Sequence, residues 1–287
     1  MLQDPAAARK EHYVAVPGGG VALHFIPPPQ SAKPDAPTLV FLHEGLGCIG
    51  MWKDFPAALA LATGCAGLVY DRPGHGRLGL PAAPRGADYF ETEAYDVLPA
   101  VLDAAGSIAG RPMDPQNLIL VGHSDGGTIA LLYASRFPVR GVITEAAHVL
   151  VEDISIEGVR AAVRSWRETD FPSRLARYHG DNTEAVFAAW SKMWQSDWFR
   201  GWSIEATLPN VECPVLALQG EDDEYGTLAQ LDAIETGVGG AVETSRIAHC
   251  GHSPHLQARD VVLATMAQFV AAVRRIDRVS EATDTQS

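Results

Sequence analysis

The segment that decides the fold is LILVGHSDGG (residues 118–127), in which an apolar run ends in a G-x-S-x-G pentapeptide. An apolar helical stretch follows it at residues 127–137. A serine on a sharp turn between a strand and a helix needs a strained backbone, and Gly122 and Gly126 remove side chains that would clash there. The hydroxyl would project above the strand end, beside the helix N-terminus. The pattern therefore predicts that Ser124 is a nucleophile.

Outward from this segment, short β-rich runs alternate with longer Ala-rich stretches, which is typical of βα units around a mostly parallel sheet. An antiparallel pair of strands around a Gly turn is predicted at the start of the chain, within residues 12–26. Because the later runs are continuously apolar, they predict central parallel strands buried on both faces. These strands are predicted at residues 38–43, 67–70, 117–122, 139–144, 214–218 and 242–247. The fold class is α/β, a mostly parallel central sheet flanked by helices.

The pattern changes between residues 146 and 211, where strand-like runs give way to aromatic, charged and helically spaced residues. The βα pattern resumes after this segment. We therefore predict one α/β core formed by residues 1–148 and 212–287. Residues 149–211 are predicted to be an inserted helical lid.

The six tryptophans are unevenly distributed, and five of them lie within residues 166–202. Four recur at every fourth position from residue 190 to residue 202, so on a continuous helix they would form one slowly drifting stripe. One interpretation is that the stripe only packs the segment onto the core. The other is that some rings line a ligand cavity, and the candidate substrate-binding rings are Trp166, Trp190 and Trp194.

A serine nucleophile needs a base, and the candidate is His252, which follows the last predicted strand. His249 and His255 lie in the same loop and compete for the role. Together with Cys250 these histidines also allow a zinc site, but no other residues supply matching ligands, so we expect no metal or cofactor.

The base in turn needs a carboxylate, which fixes its tautomer and stabilises the imidazolium. Residues 219–224 (QGEDDE) follow a predicted strand and offer four carboxylates, of which most are expected to be solvated. The chain order Ser, Asp, His is the order of the α/β-hydrolase arrangement.

Five motifs carry a resemblance to a known family: HEGLG (43–47), DRPGHGR (71–77), GHSDGG (122–127), QGEDD (219–223) and CGHSPH (250–255). Over nearly its whole length the chain resembles an α/β-hydrolase fold enzyme. The resemblance implies Ser124 as nucleophile, His252 as base, and Asp223 rather than Asp222 as the acid. It also implies an oxyanion hole made by the backbone N–H groups of two residues, Asp125 and Gly45, with Leu46 as the alternative to Gly45.

Two carboxylates depart from the family pattern. Glu44 stands where many relatives have glycine, and Asp125 follows the nucleophile where an apolar residue or glutamine is common. An anion close to an oxyanion would destabilise it by about 1 kcal/mol or more unless it is paired or turned away. The alternatives are that both are turned outward or hydrogen-bonded, or that one recognises a cationic or hydroxylated substrate group. His148, at a predicted strand end, is a further substrate-binding candidate.

The leading functional prediction is a hydrolase that cleaves a small or medium carboxylic ester. A carbon–carbon bond hydrolase of ring-cleavage products would use the same triad, and an amino-acid ester or amide hydrolase would suit the two carboxylates. A non-catalytic ligand-binding member of the fold is disfavoured, because it would not need all three triad residues.

Composition limits the partners and the compartment. Acidic residues outnumber basic ones 35 to 22, giving a net charge of -13, which disfavours a nucleic-acid or anionic-membrane surface. The chain begins without a signal-peptide pattern and contains no apolar run of about 18 residues. Its four scattered cysteines suit a reducing compartment. We expect a cytoplasmic protein with a small-molecule substrate; pairing of the aromatic lid with a second copy would give a homodimer.

Overall fold

The computed structural model describes residues 10–33, 36–77 and 83–284, with side chains up to residue 275. A single sheet has the strand order β1-β2-β4-β3-β5-β6-β7-β8. The ends of the predicted core, residues 1–9 and 285–287, lie outside the described residues. The strands are β1 (Glu11–Val16), β2 (Gly19–Ile26), β3 (Thr38–Leu42), β4 (Ala66–Tyr70), β5 (Leu118–His123), β6 (Gly141–Glu145), β7 (Val215–Gly220) and β8 (Val242–Ile247).

The pairing pattern confirms the predicted fold class. β1 pairs antiparallel with β2, and β2 pairs antiparallel with β4, while every other neighbouring pair is parallel. The strands β5, β6 and β7 are buried along their whole length, as continuous apolar runs predict. β8 differs from the expectation, because it lies at the edge of the sheet and only Ile247 in it is buried.

Helices cover both faces of the sheet. Because side chains alternate along a strand, Leu39 and Phe41 of β3 enter one hydrophobic cluster and Val40 and Leu42 enter the other. The helices are α1 (Phe55–Thr63), α2 (Tyr89–Thr92), α3 (Leu98–Ala109), α4 (Asp125–Arg136), α5 (Asp153–Glu168), α6 (Phe171–His179), α7 (Thr183–Trp194), α8 (Ala229–Gly237), α9 (Pro254–Gln257) and α10 (Arg259–Asp284).

The cluster under α1 and α10 is the smaller of the two, and α3, α4 and α8 pack on the opposite face. α10 is the longest helix, with 26 residues. Neither it nor any other helix in the described part of the chain is both long and apolar enough to cross a membrane.

Residues 149–211 hold α5, α6 and α7 and short 3-10 turns, with one isolated bridge between Leu150 and Ser203. The four tryptophans that recur at every fourth position do not lie on one continuous helix, because α7 ends at Trp194. The Ser196 N–H and hydroxyl both donate to the Met193 carbonyl oxygen, which closes the helix there. Trp198 is consequently 48% exposed, on a separate 3-10 turn.

Candidate active site

Ser124 lies on the turn that joins β5 to α4, with a positive φ of 53°. A non-glycine residue in such a conformation stores about 1–3 kcal/mol of strain. The flanking glycines make the turn sterically feasible. A Cβ at Gly122 would lie 2.2 Å from the Gly126 carbonyl oxygen, and one at Gly126 would lie 2.0 Å from the Leu42 oxygen. The Ser124 N–H donates to the Glu145 carbonyl oxygen over 2.8 Å, which ties the turn to β6.

His252 and Asp223 form a hydrogen-bond chain to this serine. The Ser124 hydroxyl lies 2.9 Å from His252 Nε2, and the Nδ1–H of the same ring points to both Asp223 oxygens, at 2.8 and 2.9 Å. Nδ1 therefore carries the ring proton, and Nε2 is free to accept one. Asp223 is also held by the Gln219 amide, at 2.6 Å, and by the Tyr225 N–H, at 2.8 Å.

Two influences on the Asp223 carboxyl oppose each other. Burial raises its pKa, but the hydrogen bond and charge of His252, together with the Tyr225 N–H, lower the pKa of Asp223 below its ordinary value. The carboxylate is therefore charged at neutral pH, as the orientation of an imidazole requires.

The alternative candidates for the acid and the base do not contact Ser124. Asp222 and His249 are exposed, and neither enters the hydrogen-bond chain. His255 is buried and directs Nδ1 to Glu145, at 2.7 Å. Burial raises the pKa of the Cys250 thiol to about 11. Within the described residues, no group of histidines, cysteines and carboxylates has the arrangement of a metal site.

Gly45 and Asp125, the two expected N–H donors, lie next to each other beside Ser124. A Cβ built on Gly45 would lie 2.5 Å from the Trp190 ring and 3.0 Å from Asp125 Oδ2. Position 45 therefore has no room for a side chain. Asp125 is the first residue of α4, where N–H groups have no partner within the helix.

The Asp125 carboxylate is buried and paired, rather than turned outward. Its Oδ2 accepts a hydrogen bond from Arg85 Nη1 at 3.0 Å and lies 3.5 Å from Arg72 Nη2. Sequence reasoning missed both arginines. Arg72 lies in the DRPGHGR motif, which could have drawn attention to it, whereas nothing around Arg85 signals a role.

Glu44 lines the cavity over Ser124 and contacts His123, the residue that precedes Ser124. Glu44 Oε2 lies 3.4 Å from His123 Nδ1, while His123 Nε2–H donates to the His252 carbonyl oxygen at 2.6 Å. Burial lowers the pKa of His123, but the contact with Glu44 outweighs it and raises that pKa to about 9. Burial raises the pKa of Glu44, but the same contact outweighs burial and holds that pKa well below its usual range.

The cavity has a volume of about 90 Å³ and opens onto Ser124 and His252. Of the aromatic candidates, the rings of Trp190 and Trp194 line it. Trp166 does not, because its ring stacks on Phe187 with centroids 3.9 Å apart. The remaining lining residues are Glu44, Gly45, Leu46, His148, Ser155, Val159 and Tyr225, of which the last three were not expected from the sequence.

His148 follows the end of β6 and lines the cavity. Its Nε2–H donates to the Tyr225 carbonyl oxygen at 3.1 Å. Burial, followed by the nearby His252, lowers the pKa of His148 to about 4. The ring is therefore neutral at physiological pH. Tyr225 itself packs against the His252 ring, with centroids 4.7 Å apart.

The chain matches a known family over most of its length. Residues 39–265 match the family model described as "Alpha/beta hydrolase family". A 2-succinyl-6-hydroxy-2,4-cyclohexadiene-1-carboxylate synthase of Enterobacter sp. (strain 638) is 28% identical over 167 residues, 56% of this chain and 54% of that protein. The human serine hydrolase BPHL is 30% identical over 186 residues, 61% of this chain and 59% of that protein. The matches thus span under two thirds of these two relatives.

Solved structures show the same fold at lower sequence identity. The proline iminopeptidase of Mycobacterium smegmatis superposes with a TM-score of 0.67 at 21% identity, covering 92% of this chain and 98% of that one. A thermophilic esterase from Thermogutta terrifontis gives a TM-score of 0.67 at 18% identity, covering 92% and 99%.

Proposed function

The chain belongs to the alpha/beta hydrolase family, and on that premise we propose that it cleaves small or medium carboxylic esters through an acyl-enzyme on Ser124. The observation that carries the proposal is the unbroken hydrogen-bond chain from Asp223 through His252 to Ser124, with distances of 2.8 to 2.9 Å. Because this series of hydrogen bonds ends at a cavity, a substrate carbonyl can approach the Ser124 hydroxyl.

In the proposed mechanism, His252 Nε2 takes the hydroxyl proton as Ser124 attacks the ester carbonyl carbon. The N–H groups of Gly45 and Asp125 hold the resulting oxyanion. His252 then gives its proton to the leaving alcohol, and the acyl-enzyme forms. Water, deprotonated by the same ring, attacks the acyl carbon; the bond to Ser124 Oγ then breaks, His252 returns the proton to Oγ, and the acid is released. Asp223 keeps the ring in the required tautomer throughout.

The cavity supports a small, uncharged substrate. Among the described residues, its lining contains no lysine or arginine, and Trp190, Trp194, Leu46 and Val159 make most of it apolar. At about 90 Å³ it suits a short acyl chain or a small ring. Burial of such a group contributes about 25 cal/mol per Å² of apolar surface.

The pairing of the two carboxylates argues against amino-acid esters as substrates. Asp125 is neutralised by Arg85 and Arg72, and Glu44 contacts His123. A substrate ammonium group would have to displace one of these internal cations. We therefore rank amino-acid ester or amide hydrolysis below the hydrolysis of neutral esters.

A fluorophosphonate probe and a series of p-nitrophenyl esters test the proposal. We expect labelling of the wild type and of the control Ser107→Ala, whose exposed serine lies on α3, and no labelling of Ser124→Ala. We expect turnover of acetate and butyrate esters. A ring-cleavage diketone in the same series tests the carbon–carbon hydrolase alternative. A wild-type protein that is neither labelled nor active on any ester would refute the proposal.

A second candidate comes from the relative named as a synthase. An equivalent reaction here would form 2-succinyl-6-hydroxy-2,4-cyclohexadiene-1-carboxylate, a product that carries negative charge. A cavity lined by Glu44 and without lysine or arginine among the described residues favours the neutral ester instead. Formation of that product by the wild type, without turnover of any ester, would reverse the ranking.

A further inference from the structure

A buried arginine joins the two segments that would hold the oxyanion. We propose that Arg85, acting with Arg72, is a positioning residue that fixes the oxyanion loop, Glu44–Leu46, against Asp125 and neutralises the Asp125 carboxylate. This inference rests on the proposed acyl chemistry at Ser124 and adds two residues that do not touch the substrate.

The Arg85 guanidinium contacts both segments at once. Nη1 donates to Asp125 Oδ2 at 3.0 Å, and Nη2 donates to the Gly45 carbonyl oxygen at 3.0 Å. The planar group lies over the Tyr89 ring, 4.3 Å from its centroid, and the side chain is 2% exposed. A rigid fork with fixed donors suits this bridging role, which a lysine cannot reproduce.

Arg72 makes a parallel connection. Its Nη2 donates to the Glu44 carbonyl oxygen at 2.7 Å and lies 3.5 Å from the same Asp125 oxygen. Within a trans peptide the C=O and the N–H point in opposite directions. By holding the Glu44 oxygen, Arg72 fixes the direction of the Gly45 N–H. By holding the Gly45 oxygen, Arg85 fixes the next peptide, which carries the N–H of Leu46, the alternative donor, and so anchors the loop on the other side of the Gly45 N–H.

The charges of the two arginines matter as much as their geometry. Asp125 Oδ2 comes within 3.0 Å of the position that a Gly45 Cβ would occupy, so an unpaired carboxylate would lie beside the loop that is proposed to bind the oxyanion. Electrostatic repulsion in such a buried site is poorly screened. The two guanidinium groups remove this repulsion and leave both N–H donors available.

The test separates binding from catalysis on a p-nitrophenyl ester. We expect Arg85→Met to lower kcat about 100-fold while KM changes less than about threefold. Affinity for a trifluoromethyl ketone, which forms an anionic adduct on the serine, should fall by a similar factor. Affinity for a neutral alcohol product analogue should not change. A residue that merely supported the fold would not produce this split.

A double variant tests the role of the charge. If Arg85 neutralises Asp125, then Arg85→Met/Asp125→Asn should recover about tenfold of the lost kcat, because the unpaired anion is gone. The matched control is Arg174→Met on α6, whose arginine side chain is 57% exposed and should leave kcat unchanged. Far-UV circular dichroism and Tm establish that each variant is folded.

The outcomes are distinguishable. An Arg85→Met variant with wild-type kcat, or with KM alone affected, overturns the inference. If Arg85→Met does not fold, the double variant decides: wild-type kcat in a folded double variant overturns the positioning role, and a kcat lowered about tenfold supports it. A wild-type protein without ester turnover or probe labelling refutes the proposed function instead.

Discussion

The carboxyl edge of the sheet and the helical segment at residues 149–211 meet at one cavity but are held together differently. At the sheet edge, side-chain hydrogen bonds link Asp223, His252 and Ser124 in a chain. In the helical segment, packed rings dominate, as in the stack of Trp166 on Phe187. Hydrogen bonds fix direction, whereas apolar packing fixes position more loosely. Under the proposed function, the sheet edge would carry the chemistry and the helical segment would select the substrate.

The largest expected effect is the loss of activity on removing the candidate base at the sheet edge. We expect His252→Ala to lower kcat by about 10⁴–10⁶-fold with little change in Tm, because the serine loses its base while the fold does not depend on it. His249→Asn in the same loop is the matched control and should retain activity, since His249 is exposed. Steady-state kinetics on a p-nitrophenyl ester measures both. Comparable losses in the two variants would contradict the assignment.

The next effect belongs to packing in the helical segment. We expect Trp166→Ala to destabilise the protein by about 2–4 kcal/mol, because it removes a stacked ring from Phe187. Acyl-chain selectivity should not change, since Trp166 does not line the cavity. Urea unfolding measures the loss. Trp198→Ala, at a 48% exposed ring, is the control and should stay within about 0.5 kcal/mol of wild type.

A third substitution is expected to change the acyl-chain preference without abolishing ester turnover. Trp190→Ala enlarges the cavity beside Gly45, so we expect kcat/KM for an acetate ester to fall about 10–100-fold and the preference to move toward longer acyl chains. Comparing acetate, butyrate and octanoate esters measures the shift. An unchanged order of preference would mean that the helical segment does not select the substrate.

The smallest effect concerns pH. Because Glu44 raises the folded-state pKa of His123 to about 9, stability from this pair is complete between pH 4.5 and 6.5 and is lost as the pH rises through 9. We expect a loss of about 2 kcal/mol between pH 6.5 and 9, measured by urea unfolding. His123→Asn should abolish the slope. The effect of His148 has the opposite sign. Because its folded-state pKa is lowered to about 4, the contribution of the neutral ring to stability is lost as the pH falls from 6.5 to 4.

Some of the site could be predicted from local pattern alone. The strand, the glycines and the serine of LILVGHSDGG are adjacent in sequence, so they specify the turn at Ser124 without knowledge of the rest. The charge pairs could not be found in this way. Arg85 and Asp125 are separated by 40 residues, and neither type nor spacing indicates that they meet. The tryptophan spacing did not show where the helix ends, because α7 closes at Trp194 through the hydrogen bond from Ser196 to the Met193 oxygen.

The sequence by itself determined the α/β class, the serine turn and the chain order of serine, carboxylate and histidine, since each depends on residues that are neighbours or on the order of elements. Among the carboxylates and histidines, residue type and spacing left several candidates open; the motif resemblance selected Asp223 and His252, and the tertiary structure shows that these two reach Ser124. The tertiary structure alone decided that Asp125 is neutralised and that Trp166 packs away from the cavity. These outcomes depend on long-range contacts between loops, and a single sequence carries no local signal for such contacts.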